Sequence, residues 1–414
     1  MISVEQALEL VLQHARSVSR CRQIPLDGAL GCVLAEDVKS DVDSPPHDKA
    51  LVDGYALCEA DLAGGHSLHV IERVVAGEVP QQKLEPGTAI QIMTGAPIPE
   101  GCAAVVMVEK TRLEETSNGS GVTILSQVIR LGQNIMRRGA AMKCDEVILK
   151  QGTLIRAIEL GLLAEVGRDW VWVLLEPSVA ILPTGDEIVP HEQKPPPGKI
   201  RNSNSSLLAG LTLQAGGYPT EEEIVPDEAD QLLAAIRANL NHDVILLSGG
   251  VSAGVHDLVP AALAQAGVKQ IFHHVNLKPG KPLWFGFFDR GENDPPCLVF
   301  GLPGNPVSGL VCFELFVRPS LQKLRGQRPF GLATTRALLT HEHTHRGERP
   351  AYWPAVLDEG KLEVTPLAWQ GSGDLRTLAH ANALAYFPSG DQVWPAGEEV
   401  TVYRLPGGET AAFS

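Results

Sequence analysis

Between residues 177 and 325, short and nearly unbroken apolar runs alternate with helical stretches. This alternation restricts the fold more than any other feature of the chain. SVAILP, DVILLS, QIFHHVNL and CLVFGLPG read as strands, and NSSLLAGLTLQAGG, EADQLLAAIRANL, LVPAALAQAG and VSGLVCFELFVRPSLQKL as the helices around them. Strands that are apolar along their whole length are buried on both faces. The segment therefore predicts a parallel, doubly wound α/β sheet with helices on either side. Gly-rich turns follow these strands directly, where such sheets bind ligands.

The flanking regions differ in pattern. Val4, Leu8, Val11, Leu12 and Ala15 recur at helical spacing, and Ser3 with Gln6 forms a capping box, so a helix is expected from Ser3 to about Ser19. From about 68 to 150 the runs LHVIERVVAG, TAIQIMTG, AAVVMVEK and VTILSQVI alternate with turn residues and read as β-rich. LIRAIELGLLAEVG (154–167) reads as a helix that joins the N-terminal one in a single module, the β-rich part being inserted between them. Beyond 328, TTRALLTHEHT, AYWPAVLD, KLEVTPL, ALAYFP and EEVTVYRL read as the short strands of a small β-barrel or sandwich. The expected organisation is an α/β linker module (1–44 with 145–176), an inserted β-rich domain (45–144), the α/β domain (177–328) and a C-terminal β-barrel (329–414).

The net charge is −15. An acidic surface of this size repels phosphate backbones, so a nucleic-acid partner is disfavoured, and an anionic substrate requires basic residues gathered at one site. No run of 18 apolar residues is present, so no transmembrane helix is expected. The start MISVEQALELVLQHA lacks the basic, apolar and small-residue segments of a signal peptide. The seven cysteines include no Cys-x-x-Cys pair and read as reduced thiols in a cytoplasmic protein without a structural zinc site.

Four strings carry chemistry. In DVILLSGGVSAG, Ser248, Gly249, Gly250, Ser252 and Gly254 follow a strand, with Asp257 close behind. Such a turn points backbone N–H groups at a phosphate, or it is a tight strand–helix turn without a ligand. In LPTGDEIVP, Asp186 and Glu187 end a strand; adjacent acids there bind Mg²⁺ or position a water, or form a solvated turn. In LKPGKP, Lys278 and Lys281 flank Pro-Gly and suit an oxyanion, or sit on a surface turn. In FGLPGNPVS, Asn305 is an N-cap and Pro306 the first helical residue, and Ser308 in the first turn is within reach of an anion. Asp53-Gly54 and Thr94-Gly95 read as ordinary turns. His341, His343 and His345 alternate on one strand face, more in keeping with a solvated strand than with a metal site. Three enzyme signatures are absent: Gly-x-x-x-x-Gly-Lys-Ser/Thr, Gly-x-Ser-x-Gly and His-Glu-x-x-His. The residues alone therefore describe a multidomain protein whose α/β domain binds an anionic, phosphorylated ligand.

In series, VDGYA, TGAP, TGDE, SNS, SGGVSAG, KPGKP and LPGNPVS resemble the molybdopterin molybdenumtransferase family, the MoeA and gephyrin E-domain proteins. The resemblance spans nearly the whole chain. It implies a four-domain homodimer that inserts molybdate into adenylylated molybdopterin with release of AMP, assisted by Mg²⁺. It also implies contact with the molybdopterin adenylyltransferase and with molybdoenzymes. By resemblance, Ser248, Gly249, Gly250 and Ser252 cradle the pterin phosphate, with Thr184, Gly185, Ser203, Asn204, Pro303, Asn305 and Pro306 lining the ligand. Asp186, Glu187, Asp227 and Asp257 serve the metal and the phosphoanhydride, with Lys278 beside them. Lys281, Pro282, Ser308, Arg349 and Ser372 hold molybdate, and Asp53 and Thr94 come from the other subunit. Two departures stand out: Ala140 and Ala141 replace a Glu-Asp pair after Arg137-Arg138-Gly139, and His274 replaces a permanent cation. Because HHVNL alternates like a strand, His273 and His274 are expected to point to opposite faces. These departures leave open a diverged homologue, one preferring tungstate, or a cofactor-holding scaffold.

Overall fold

The computed structural model describes residues 1–414 except 18, 66, 117–118, 251–257, 293, 328–329 and 408–414; for 115, 116 and 119 it describes the backbone only. Three sheets and several short strand pairs organise the chain.

The central sheet has six strands in the order Tyr218–Glu221, Ser178–Pro183, Val244–Ser248, Cys297–Leu302, Trp284–Phe288 and Lys269–His273. The first four are parallel and the last two pairings are antiparallel. The predicted parallel sheet is therefore mixed on one side. Val244–Ser248 and Cys297–Leu302 are buried at every position, as their composition requires. Helices cover both faces, and two apolar clusters lie on the two sides of the sheet. Val179, Ile181, Val244, Leu246 and Phe300 face one cluster, while Ala180, Leu182, Ile245, Leu247 and Val299 face the other. This is the period of two expected of strands.

The C-terminal strands Thr334–Leu339, Glu363–Pro366, Ala351–Asp358, Ala383–Phe387 and Glu399–Arg404 close into a five-stranded barrel, as predicted. The inserted sheet runs Ala104–Met107, Gly54–Leu57, Thr88–Ile92, Ser67–Val74, Gly119–Ile124 and Thr111–Thr116. Nested antiparallel pairs lead into and out of it: Cys21–Pro25 with Trp170–Leu174, Val38–Lys39 with Val147–Leu149, and Lys49–Ala50 with Ile135–Met136.

Several local expectations are corrected. The first helix spans Val4–His14 with both bonds of the Ser3–Gln6 capping box formed, but it does not pack with the Ala157–Glu165 helix. Val4, Ala7 and Val11 are buried in the same cluster as Phe285 and Phe313 of the α/β layer, and the His14 ring lies 4.6 Å from that of Phe287. The stretch VSGLVCFELFVRPSLQKL divides into Pro306–Cys312, a π-helical turn Phe313–Val317, and Arg318–Leu324. Pro319 lacks the N–H that an unbroken helix would need. Of the three alternating histidines of HEHTH only His341 faces solvent. His343 is 9% and His345 1% exposed, in a separate strand His343–His345 paired with Gln392–Trp394. His343 stacks on Phe387 with centroids 4.1 Å apart. No helix among the described residues is long and apolar enough to cross a membrane.

Candidate active site

Register brings the predicted motifs to one edge of the sheet. Pro183 pairs with Ser248 and Ser248 with Leu302, so three strands end side by side. Across the antiparallel strand, Gly301 pairs with Trp284 and Trp284 with His273. Lys269–His273 thus points the same way as Cys297–Leu302, and the loop carrying Lys278 and Lys281 leaves from the same edge. Five turns therefore meet there: 184–187, 225–227, 249–250, 303–306 and 274–282. The 225–227 turn is joined to this edge by the bridge between Thr184 and Val225.

Direct bonds tie these turns together. Thr184 N donates to Ser248 O at 3.0 Å, and Gly249 N to Leu302 O at 3.2 Å. Asn204, at the start of the Asn204–Gln214 helix, donates its Nδ2 to Ser248 Oγ at 2.8 Å and to Gly304 O at 2.7 Å. Ser203 precedes it and is exposed. Two glycines are required at this point. A Cβ on Gly249 (φ +106°) would lie 2.5 Å from Thr184 O, and one on Gly250 (φ +63°) 2.7 Å from Val259 Cγ2. Either would also crowd Thr184 Oγ1, which is buried and, among the described residues, has no hydrogen-bond partner, as is the case for Asn204 Oδ1. Buried polar atoms are normally paired. Two unpaired oxygens beside a glycine cradle fit a bound polar ligand.

The acidic corner is equally compact. Asp186 N donates to Asp227 Oδ2 at 3.4 Å, and Asp227 N to Asp186 Oδ1 at 3.2 Å. Gly185 adopts φ +136°, and its missing Cβ leaves room for the Glu187 carboxylate, whose Oε2 would be 2.5 Å from it. The Lys199 ammonium donates to Asp186 O. Hard carboxylate oxygens suit Mg²⁺, which commonly takes one or two carboxylates and completes its shell with water and substrate phosphate. Among the described residues no three His, Cys, Asp or Glu side chains converge to hold an ion without such additional ligands. Asp257 and Ser252 lie outside the described residues.

The barrel supplies the opposite wall. Lys278 N donates to Pro350 O and Tyr352 N to Lys278 O, both at 2.9 Å. Arg349 Nη1 donates to Leu277 O at 3.1 Å. Gly280 (φ +116°) lets the lysine loop rest on the Pro306–Cys312 helix, for a Cβ there would meet Cys312 Sγ at 2.7 Å. Ser308 is buried in that helix. Asn305 occupies the predicted cap and Pro306 the first helical position, but the Asn305 side chain makes no capping bond. Instead Val307 N is held by Ser372 O of the barrel at 3.0 Å. Lys281 is exposed and Pro282 partly so.

His274 departs from expectation. The strand ends at His273, and His274 turns to φ +75°. The two rings stack with centroids 3.9 Å apart instead of pointing to opposite faces. Burial, His273 and Lys281 lower the His274 pKa. Sequence reasoning also missed His345. Its Nε2 lies 3.0 Å from Arg349 O, so that nitrogen carries the hydrogen and braces the backbone of Arg349. No local signal marks this contact or that of Lys199.

Asp53 and Thr94 meet each other at one end of the inserted sheet, where the neighbouring strands Gly54–Leu57 and Thr88–Ile92 begin and end. Thr94 N and Oγ1 each donate to Asp53 Oδ1 at 2.7 Å, and these bonds hold the Asp53 pKa below the usual range. Neither is hydrogen-bonded to the α/β edge among the described residues.

Three family models match in order along the chain: the MoeA N-terminal region (domains I and II) at 2–167, a probable molybdopterin binding domain at 180–323, and the MoeA C-terminal region (domain IV) at 336–405. Fold and edge together thus define a multidomain enzyme of molybdenum cofactor biosynthesis. The chain is 33% identical to the molybdopterin molybdenumtransferase of Bacillus subtilis, covering 98% of this chain and 94% of that one. It is 36% identical to that of a Nostoc species, covering 92% and 88%. The crystal structure of the molybdopterin biosynthesis MoeA protein of Pyrococcus horikoshii superimposes with a TM-score of 0.82 at 30% identity, over 98% of this chain and all of that one. The chain belongs to the MoeA family of molybdopterin molybdenumtransferases.

Proposed function

We propose that this chain inserts molybdate into adenylylated molybdopterin with release of AMP and with Mg²⁺ assisting, as a cytoplasmic homodimer. The observation that carries this reading is the alignment of Pro183, Ser248 and Leu302 at one sheet edge, facing the lysine loop and the barrel. The glycine cradle at Gly249 and Gly250, with Thr184 and Asn204 beside it, receives the phosphate of the pterin. Ser203, Gly185, Pro303, Asn305 and Pro306 line the same turns. Ser252 completes this set by resemblance.

Asp186, Glu187 and Asp227, with Asp257 by resemblance, would hold Mg²⁺, which supplies charge neutralisation at the phosphoanhydride. Glu187 sits free of backbone obstruction over Gly185 and orients the attacking water. Lys281, Pro282, Ser308, Arg349 and Ser372 gather the molybdate dianion, and Lys278 adds a second cation to the same loop. Asp53 and Thr94 form one hydrogen-bonded unit without a bond to that edge. We read them as the contribution of the partner subunit. The division into 1–44 with 145–176, 45–144, 177–328 and 329–414 draws support from the nested strand pairs for the first two modules and from the six-stranded sheet and closed barrel for the last two, with the Val4–His14 helix packed on the α/β layer.

Incubation of purified protein with adenylylated molybdopterin tests this reading. AMP should appear only when molybdate and Mg²⁺ are both added. Tight pterin binding without AMP release would overturn the transferase reading and favour a scaffold. His274 and Ala140-Ala141 favour a second reading, a diverged homologue with slower turnover or a tungstate preference. Faster AMP release with tungstate than with molybdate would support it.

A further inference from the structure

We propose that the cleft at the amino edge of the central sheet binds a small amphiphilic monoanion, an apolar body carrying one oxyanion head. The cleft measures about 790 Å³, within the usual range of roughly 300–1,000 Å³ for small-molecule sites. Glu176 and Gly217 in its wall precede the strands Ser178–Pro183 and Tyr218–Glu221. It therefore lies a strand's length, roughly 15–20 Å at about 3.3 Å per residue, from the turns of the candidate active site.

The head group is specified by Arg325, which follows the Arg318–Leu324 helix and is only 8% exposed. Its Nη2 donates to Gly31 O at 2.7 Å. The face of the guanidinium rests on Gly216, where a Cβ would overlap Nη1 and lie 3.0 Å from Nε. Among the described residues it forms no ion pair; Glu176, the acid of this wall, is bridged instead by Arg22 at 3.6 Å. A guanidinium carries five N–H donors in a fork suited to a bidentate oxyanion, and among the described residues the bond to Gly31 O leaves most of that capacity free. Burial pulls the Arg325 pKa down, only partly countered by Glu176, so a second negative charge beside it is stabilising.

Charge and polarity specify the rest of the ligand. Among the described residues, the charged side chains lining the cleft are Arg22, Arg325 and Glu176, which leave one positive charge and match one negative charge. Leu30, Leu154, Leu213 and Tyr218 line the mouth and are 62%, 38%, 62% and 65% exposed. Large apolar residues gathered at a mouth above a buried cation fit a ligand with an apolar body.

The probe is 8-anilinonaphthalene-1-sulfonate, an aromatic body with one sulfonate, compared with uncharged N-phenyl-1-naphthylamine and titrated into the full chain by fluorescence. The sulfonate probe should saturate at one per chain and bind at least tenfold more tightly than the neutral one. Leu213→Glu, on the open rim, should weaken the sulfonate probe at least tenfold and leave AMP release unchanged. Arg325→Gln should do the same to probe binding; because that residue also braces Gly31, the rim variant carries the decision if Arg325→Gln fails to fold. Three results would overturn the proposal: no saturable one-per-chain binding, equal affinity in wild type and Leu213→Glu, or displacement of the probe by molybdate.

Discussion

Replacing His274 by lysine should flatten the pH dependence of molybdate binding. In the free protein the His274 ring is stacked on His273. Burial first, then the neighbouring His273 and Lys281 and the N-terminal amine, lower its pKa from 6.5. It is therefore neutral at pH 7–8. A molybdate dianion held by Lys281 reverses the local field and raises that pKa, so binding takes up a proton. The sign follows: affinity is highest at low pH and falls as pH rises from the lowered free pKa to the raised liganded one. One coupled proton limits the slope to tenfold per pH unit, about 1.4 kcal/mol. Between pH 6 and 8 the loss is at most about 100-fold. Lysine, with an ordinary pKa of about 10.4, keeps its charge across that range, so the variant should show a nearly flat profile. Isothermal titration at constant ionic strength measures both. Parallel slopes in the two proteins would refute the reasoning and remove His274 from the anion site. Stability of the unliganded fold carries its own sign. The proton binds less tightly to folded than to unfolded protein, so the contribution of neutral His274 is present above pH 6.5 and is lost as pH falls through the lowered folded value.

Gly185→Ala should cost about 1–3 kcal/mol for the unusual backbone angle, and its Cβ should push the Glu187 carboxylate aside. Urea unfolding and AMP release measure the two effects; unchanged AMP release would show that the placement of Glu187 does not matter. Asp53→Asn and Lys281→Gln should each be inactive alone and regain activity when mixed, because one mixed dimer rebuilds one intact site. No recovery after confirmed subunit exchange would count against a shared site.

Features settled within a few residues were readable in advance. The Ser3–Gln6 box, Pro306 at a helix start and the five barrel strands are written in local sequence, and the structure reproduces each. Features set by distant packing were not. Alternation in HEHTH marks one face but not which face is buried; Phe387 and Trp353 decide that, and both lie outside the motif. The strand Trp284–Phe288 contains Gly286, a residue that weakens strand propensity. That glycine is needed because a Cβ would meet Lys269 O and the Trp284 ring at 2.5 Å. HHVNL looks like continuing strand until the left-handed turn at His274. Asp53 and Thr94 read as two unrelated turns because 41 residues separate them. The turns of the α/β edge were recognisable as strings, but their convergence comes from sheet register, which no single string encodes.

Chemistry at the Thr184–Glu187 turn is tested most directly by Glu187→Gln, which keeps the side-chain shape and removes the charge. With molybdate and Mg²⁺ present, AMP release from adenylylated molybdopterin should fall by roughly two or more orders of magnitude, while the variant still binds the pterin. AMP release near the wild-type rate would contradict the assignment of the reaction to this edge.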